Sequence, residues 1–200
     1  MKLQDVAGFI NVGQILPRVE AKEGDNMELL PQVRILQPKA IQQGRVELDE
    51  ISTIRVKQAV QLRKVTMAGD IIMKLSTPYD TAFIAEESEG LVFTSFCAVI
   101  RDIKRDQLDP AFLVAYLNMD YTKEMLRLKS AATSLPIVKI SDIRELEIPD
   151  ISLQKQKLLG EAYRISAEQI ATLKKMQMNE NKLIQGLILD EVKRWMNGKG

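Results

Sequence analysis

Two hundred residues, 46% of them hydrophobic and 28% charged, suffice for one buried core plus an appendage. Histidine is absent and cysteine occurs once, which excludes imidazole acid–base catalysis, a Ser-His-Asp triad, a Cys/His zinc site and an internal disulfide framework. The net charge of +1 is unevenly spread: residues 1–150 hold 19 Lys+Arg and 22 Asp+Glu, hence −3, and residues 151–200 hold 9 and 5, hence +4. A head of net −3 is not a generic polyanion binder.

No apolar run approaches the 18 residues of a membrane span. The start, MKLQDVAGFI, lacks a signal-peptide pattern, and a lone Cys97 fits a reducing compartment, so a cytoplasmic location is expected. Cys97 sits in the apolar run LVFTSFCAVI and is expected to be a buried structural thiol.

Residues 1–10 form a short strand or helix entering the head, with Leu3, Val6, Phe9 and Ile10 apolar. Residues 11–50 are broken by Pro17, Gly24, Pro31, Pro38 and Gly44, with β-rich pieces at 27–36 and 41–48 and a turn at Gln43-Gly44. A strand is expected across 51–56 and another element up to Val65. Ala68-Gly69-Asp70 is a turn, Ile71–Leu75 a strand, Ser76–Asp80 a polar loop, and Thr81–Ala85 a second strand. After the acidic turn 86–90, residues 91–101 read as one buried strand.

Asp109-Pro110 opens a helix, Asp as N-cap and Pro as first helical residue. Its apolar face starts with Leu113, Tyr116 and Leu117 and continues through Met125 and Leu128. Residues 129–140 form a polar loop ending in a strand, Ser141 caps a single helical turn, and 146–149 is a final strand. From about Leu153 to Trp195 strong helix formers dominate, with no proline and two glycines, Gly160 and Gly186. Leu159, Leu173 and Leu187 make one apolar line, and Tyr163, Ile170 and Ile184 a second. Ile165, Met176, Leu183 and Ile188 widen the stripe; Ser166, Gln177 and Glu180 interrupt it. A helix of that length runs roughly 60 Å, and its apolar stripe calls for a partner helix. The expected fold is α+β: a mixed head, residues 1–150, followed by a coiled-coil arm, residues 151–200.

Catalytic motifs are missing. There is no Asn/Asp-Pro-Pro-aromatic methyltransferase motif, no glycine-rich cofactor loop and no Walker loop. Glu20-Ala21-Lys22 matches the tail of a nuclease site, with Asp5 upstream, but no Pro-Asp precedes it. The chain is expected to be a non-enzyme without a metal site.

The ordered set GDIIMKL (69–75), GLVFTSFCAVIR (90–101), DPAFLVAYLN (109–118), SAATSLPIVKISDIRELEIP (130–149) and ISLQKQ (151–156) resembles the specificity (S) subunit of type I restriction-modification enzymes. The match runs from about residue 60 to 190 and is loose before that. The family's full-length chain holds two target-recognition domains and two long helices; this sequence has one of each. The resemblance implies a half-length subunit that recognises DNA without catalysis, as a homodimer reading two inverted half-sites. Leu159, Tyr163, Ile170, Leu173, Met176, Leu183, Ile184 and Leu187 would form its helical interface. It also implies methylation and restriction subunits as partners, with S-adenosylmethionine and ATP bound there rather than here.

Three groups of residues are candidates for DNA contact. Lys74, Ser76, Thr77 and Tyr79 surround the first polar loop. Lys129, Ser130, Thr133, Ser134 and Lys139 belong to a second loop that resembles the family's loop near DNA. Arg34, Lys39 and Arg45 lie in the region where base readout is expected. Two other readings of the chain are a coiled-coil adaptor with no DNA role and a silent fragment of a specificity gene.

Overall fold

The computed structural model describes residues 1–22, 30–130 and 137–198. The chain forms two compact units, Met1–Arg164 and Ile165–Gly200. The first begins with α1 (Leu3–Val6), β1 (Ala7–Val12) and α2 (Leu16–Val19). It continues through β2 (Gln32–Leu36), β3 (Ile41–Gln42), β4 (Arg45–Val46) and β5 (Ser52–Arg55). Then come β6 (Ile71–Lys74), β7 (Thr81–Phe83), β8 (Val92–Phe93) and β9 (Cys97–Ile103). Helices α3 (Pro110–Asn118), α4 (Asp120–Ser130) and α5 (Ile140–Arg144) lead to α6 (Leu153–Asn197), which continues into the second unit. The fold is mixed α+β, as its sequence pattern predicts. Among the described residues no helix is long and apolar enough to cross a membrane.

An antiparallel sheet in the order β1-β9-β6-β7 divides the core. Successive side chains of a strand point to opposite faces, so an apolar run on a doubly covered sheet feeds two cores. Ile71 and Met73 of β6 join one apolar cluster, with Ala98, Ile100, Leu113 and Leu117. Ile72 joins the other, with Cys97, Val99, Leu36, Ile41 and Phe93. Helices α1, α3, α4 and α5 cover the first face; β2, β8 and the β3–β4 hairpin cover the second.

Burial pushes the Cys97 thiol up to about 12. Almost no thiolate exists at pH 8, and a thiol reagent is expected to leave the native chain unlabelled yet label it fully in denaturant. Rapid native labelling would contradict that burial.

Four expectations are corrected. The run 91–101 is two strands: β8 pairs in parallel with β2, and β9 joins the large sheet. A turn closed by Cys97 N to Thr94 O, at 2.9 Å, carries the chain between them, with Phe96 exposed. The helix from Pro110 stops at Asn118, because Met119 is extended, and restarts at Asp120. The inward face of α4 is therefore Thr122, Leu126 and Ser130, while Leu128 is exposed. Helix α4 continues to Ser130, no strand occupies 137–139, and the Lys139 N–H donates to Asp142 at the start of α5 in the capping role expected of Ser141. Residues 146–149 hold one β-bridge, Lys2 with Glu147, flanked by Leu3 N to Leu146 O and Ile148 N to Met1 O. The part of the 27–36 piece before Leu30 lies outside the described residues.

Candidate nucleic-acid interface

Gly69 takes φ +91°, a conformation that strongly favours glycine, and so starts the turn into β6. Asp70 follows, buried, and accepts a bidentate pair from Arg101 at 2.7 and 2.6 Å and the Met67 N–H at 2.8 Å. The Arg101 guanidinium also donates to Val65 O and lies 5.6 Å from the Phe9 ring. At the far end of β6, Lys74 Nζ donates to Asp80 Oδ2 at 2.8 Å, and Lys123 Nζ from α4 donates to Asp80 Oδ1 at 2.6 Å. All three side chains are 13% exposed or less. Burial alone would raise the Asp80 pKa; the hydrogen bonds from Lys123 and Lys74, with their charges, outweigh it and hold the carboxyl below its ordinary value.

This triad clamps the loop from Ser76 to Asp80. Within it, Tyr79 adopts φ +58° and is almost fully buried, its N–H bonded to Ser76 O and its hydroxyl 2.7 Å from Ser130 Oγ. A left-handed non-glycine residue costs roughly 1–2 kcal/mol, offset here by burial of the ring. Asn118, at the end of α3, completes the clamp from behind. Its amide accepts from Thr81 N at 3.0 Å and donates to Thr81 O at 2.7 Å, so it pairs with β7 as a neighbouring strand would. Gly44 of the hairpin turn also donates to Thr81 O, at 2.9 Å.

The first loop, the end of α4, and residues 137–139 are therefore one surface: Tyr79 meets Ser130, and Val138 N donates to Leu75 O. Thr77, Lys129 and Lys139 are exposed there, and Ser76 is half-buried. Arg45 follows Gly44, which bridges to Ala82, so the hairpin borders the same edge. Lys39 and Arg45 are exposed and paired with Glu50 and Glu47 at 2.9 and 3.1 Å, pairs worth about 0–1 kcal/mol each and easily exchanged. Arg34 is exposed on β2 opposite Thr53, in the three-stranded sheet, and is not gathered with the loops by any bond described above. Thr133 and Ser134 lie outside the described residues.

Three candidates are corrected. Lys74, Tyr79 and Ser130 have buried internal partners, so they shape the loop instead of presenting polar groups at its surface. The sequence reading missed Asp80 as the hub of the triad, and missed Lys123 and Asn118.

The hinge before α6 is equally specific. Gln156 is buried; it accepts from Asp109 N at 2.9 Å and donates to Ile151 O at 2.7 Å and Gln107 O at 3.3 Å. One turn on, Gly160 lies against the start of α3 with no room for a side chain.

No protein-family model matches the chain, and no curated protein matches it. Solved structures do. A chain from a structure concerning complex assembly and conformational transition of the type I R-M system is 21% identical, with TM-score 0.60 over 96% of this chain and 48% of that one. The HsdS subunit from Thermoanaerobacter tengcongensis is 19% identical, with TM-score 0.61 over 88% and 43%. The type I restriction-modification system S subunit from M. genitalium is 14% identical, with TM-score 0.52 over 88% and 40%. The chain shares the fold of type I restriction-modification S subunits and spans a little under half the length of the solved chains it matches.

Proposed function

We propose that this chain is a half-length DNA sequence-recognition subunit of a type I restriction-modification system. The observation that carries the reading is the fold shared with S subunits over 88–96% of this chain but under half of theirs. Residues 1–150 read one half-site, and residues 151–200 pair with the same segment of a second copy and set the gap. The chain is non-catalytic: partner subunits of the same system, carrying S-adenosylmethionine and ATP, methylate adenine N6 and restrict DNA at the bipartite site it selects. The exposed Thr77, Lys129 and Lys139 are its nearest backbone contacts, and Arg34, Lys39 and Arg45 lie in the part that reads bases.

Two measurements test this reading. Leu173→Glu with Leu187→Glu places charges on the exposed apolar stripe of α6 and is expected to halve the mass on light scattering. An unchanged mass would remove the homodimer. The isolated chain is expected to bind duplex DNA weakly, with affinity falling steeply as salt rises. Lys129→Ala with Lys139→Ala should flatten the log–log salt slope by about 2. Tight binding insensitive to salt would contradict a head that relies on partner subunits for part of its grip.

A further inference from the structure

The head's net charge of −3 hides a separation of charge. Residues 11–22 and 51–66 hold six Lys+Arg and one carboxylate, Glu20, hence +5; the rest of residues 1–150 hold 13 and 21, hence −8. The fold ties these two stretches side by side. At one end Lys57 N donates to Val19 O at 2.8 Å, and Gln58 Nε2 donates to Arg18 O at 3.1 Å. At the other end the Lys64 ammonium donates to Val12 O. Residues 57–64 thus form a strap along residues 12–19, with Arg18, Lys57 and Arg63 exposed.

Strand β5 carries the same charge onto the neighbouring sheet. Val56 is buried, so Thr53, Arg55 and Lys57, which alternate with it, lie on the outer face. Arg34 of β2 pairs with Thr53 and shares that face. Several cations elsewhere in the head sit beside carboxylates: Lys39 by Glu50, Arg45 by Glu47, and Arg127 by Glu124. Arg18, Arg34, Lys57 and Arg63 have no carboxylate partner among the described residues. Burial and the neighbouring Arg63 charge hold the Lys64 ammonium below its ordinary pKa, as happens where cations crowd without a counter-charge. Glu23, Asp25 and Glu28 lie outside the described residues.

An apolar tip stands among these charges. Leu62 begins the short turn Leu62–Lys64 and is 78% exposed, the most exposed large apolar side chain among the described residues. Gln61 and Arg63 flank it, with Arg63 Nε donating to Gln61 Oε1 at 2.8 Å. An acidic protein surface would meet the cations and leave the leucine without a matching surface. A nucleic-acid duplex meets both: its phosphates take the cations, and aliphatic side chains enter the groove between them against the base steps.

We propose that the strap 57–64, with Arg18 of α2 and Arg34 of β2, is a duplex-binding face of the head, in which Arg18, Lys57 and Arg63 hold phosphates and Leu62 enters the groove between them. This deepens the recognition reading above and rests on it. It adds a contact beyond the surface at Thr77, Lys129 and Lys139. It also accounts for a head of net negative charge meeting a polyanion, because the excess carboxylates lie outside these two stretches.

Fluorescence anisotropy of a short labelled duplex of mixed sequence, titrated with the full chain across a salt series, tests the proposal. Arg18→Ala, Lys57→Ala and Arg63→Ala together should flatten the log–log salt slope by about 3. Lys2→Ala, Lys104→Ala and Lys157→Ala together remove three exposed cations outside the strap and should leave the slope nearly unchanged. Leu62→Ala should weaken binding several-fold at every salt concentration without altering the slope, since no charge is lost. A parent chain that binds no duplex at low salt contradicts the recognition reading and removes the proposal with it. A slope that the strap variant leaves unchanged overturns the proposal alone and leaves the face to an acidic protein. Equal flattening by both triple variants overturns the placement at the strap. Binding of Leu62→Ala at parent strength removes the groove contact and leaves the phosphate contacts standing.

Discussion

Asp80→Ala is expected to destabilise the head by about 3–5 kcal/mol in urea denaturation, because it leaves two lysine ammonium groups in a nearly water-free site with no counter-charge. Lys74 cannot swing out to solvent from β6, where all four residues are buried. Lys123 is held close on α4. Asp80→Asn should cost nearly as much, since an amide keeps the shape but not the charge. The pH dependence has a definite sign. Asp80 is held below its ordinary value of 3.8, so its contribution is complete above that value and is lost as pH falls through the lower, folded value. The variant should therefore show a weaker loss of stability on acidification than the parent. A cost below about 1 kcal/mol, or identical acid profiles, would mean that the triad does not hold the loop.

Gly160→Ala is expected to destabilise the chain by about 1–3 kcal/mol, despite the roughly 1 kcal/mol that alanine gains over glycine inside a helix. A methyl group there meets Phe112 N and sits 2.8 Å from both the Ala111 carbonyl carbon and Asp109 Oδ1. Two of those atoms are backbone and the third is the cap that accepts from Phe112 N, so none can yield cheaply. Gly186→Ala is the control. Nothing lies within 4 Å of a methyl group at Gly186, and the same change should stabilise by about 0.5–1 kcal/mol. Opposite signs from one substitution at two sites of one helix separate packing from propensity in thermal or urea melts. Equal signs would contradict the close approach of α6 to α3.

The parts legible in sequence were those with local causes. Period-3.6 and heptad spacing gave α6; Asp109-Pro110 gave the start of α3; Gly69 and Gly44 gave their turns. The illegible parts depend on distant partners. The run 91–101 stays apolar through a corner because both of its strands are buried, so hydropathy could not divide it. Lys74 and Tyr79 have the side chains of DNA contacts, but Lys74 is held inside by Asp80, itself anchored by Lys123 43 residues further on, and Tyr79 by Ser130, 51 residues further on. Asn118 carries no pattern of its own; its role appears once β7 lies beside it.

Methylation mapping tests the central claim most directly. DNA from a host carrying this gene and the methylation gene of the same system is compared with DNA from a strain deleted for this gene alone. The account predicts the loss of one adenine-N6 motif made of two inverted half-sites about a fixed gap. An asymmetric lost motif would retain sequence recognition and contradict the homodimer. An unchanged methylation pattern would contradict the recognition function itself.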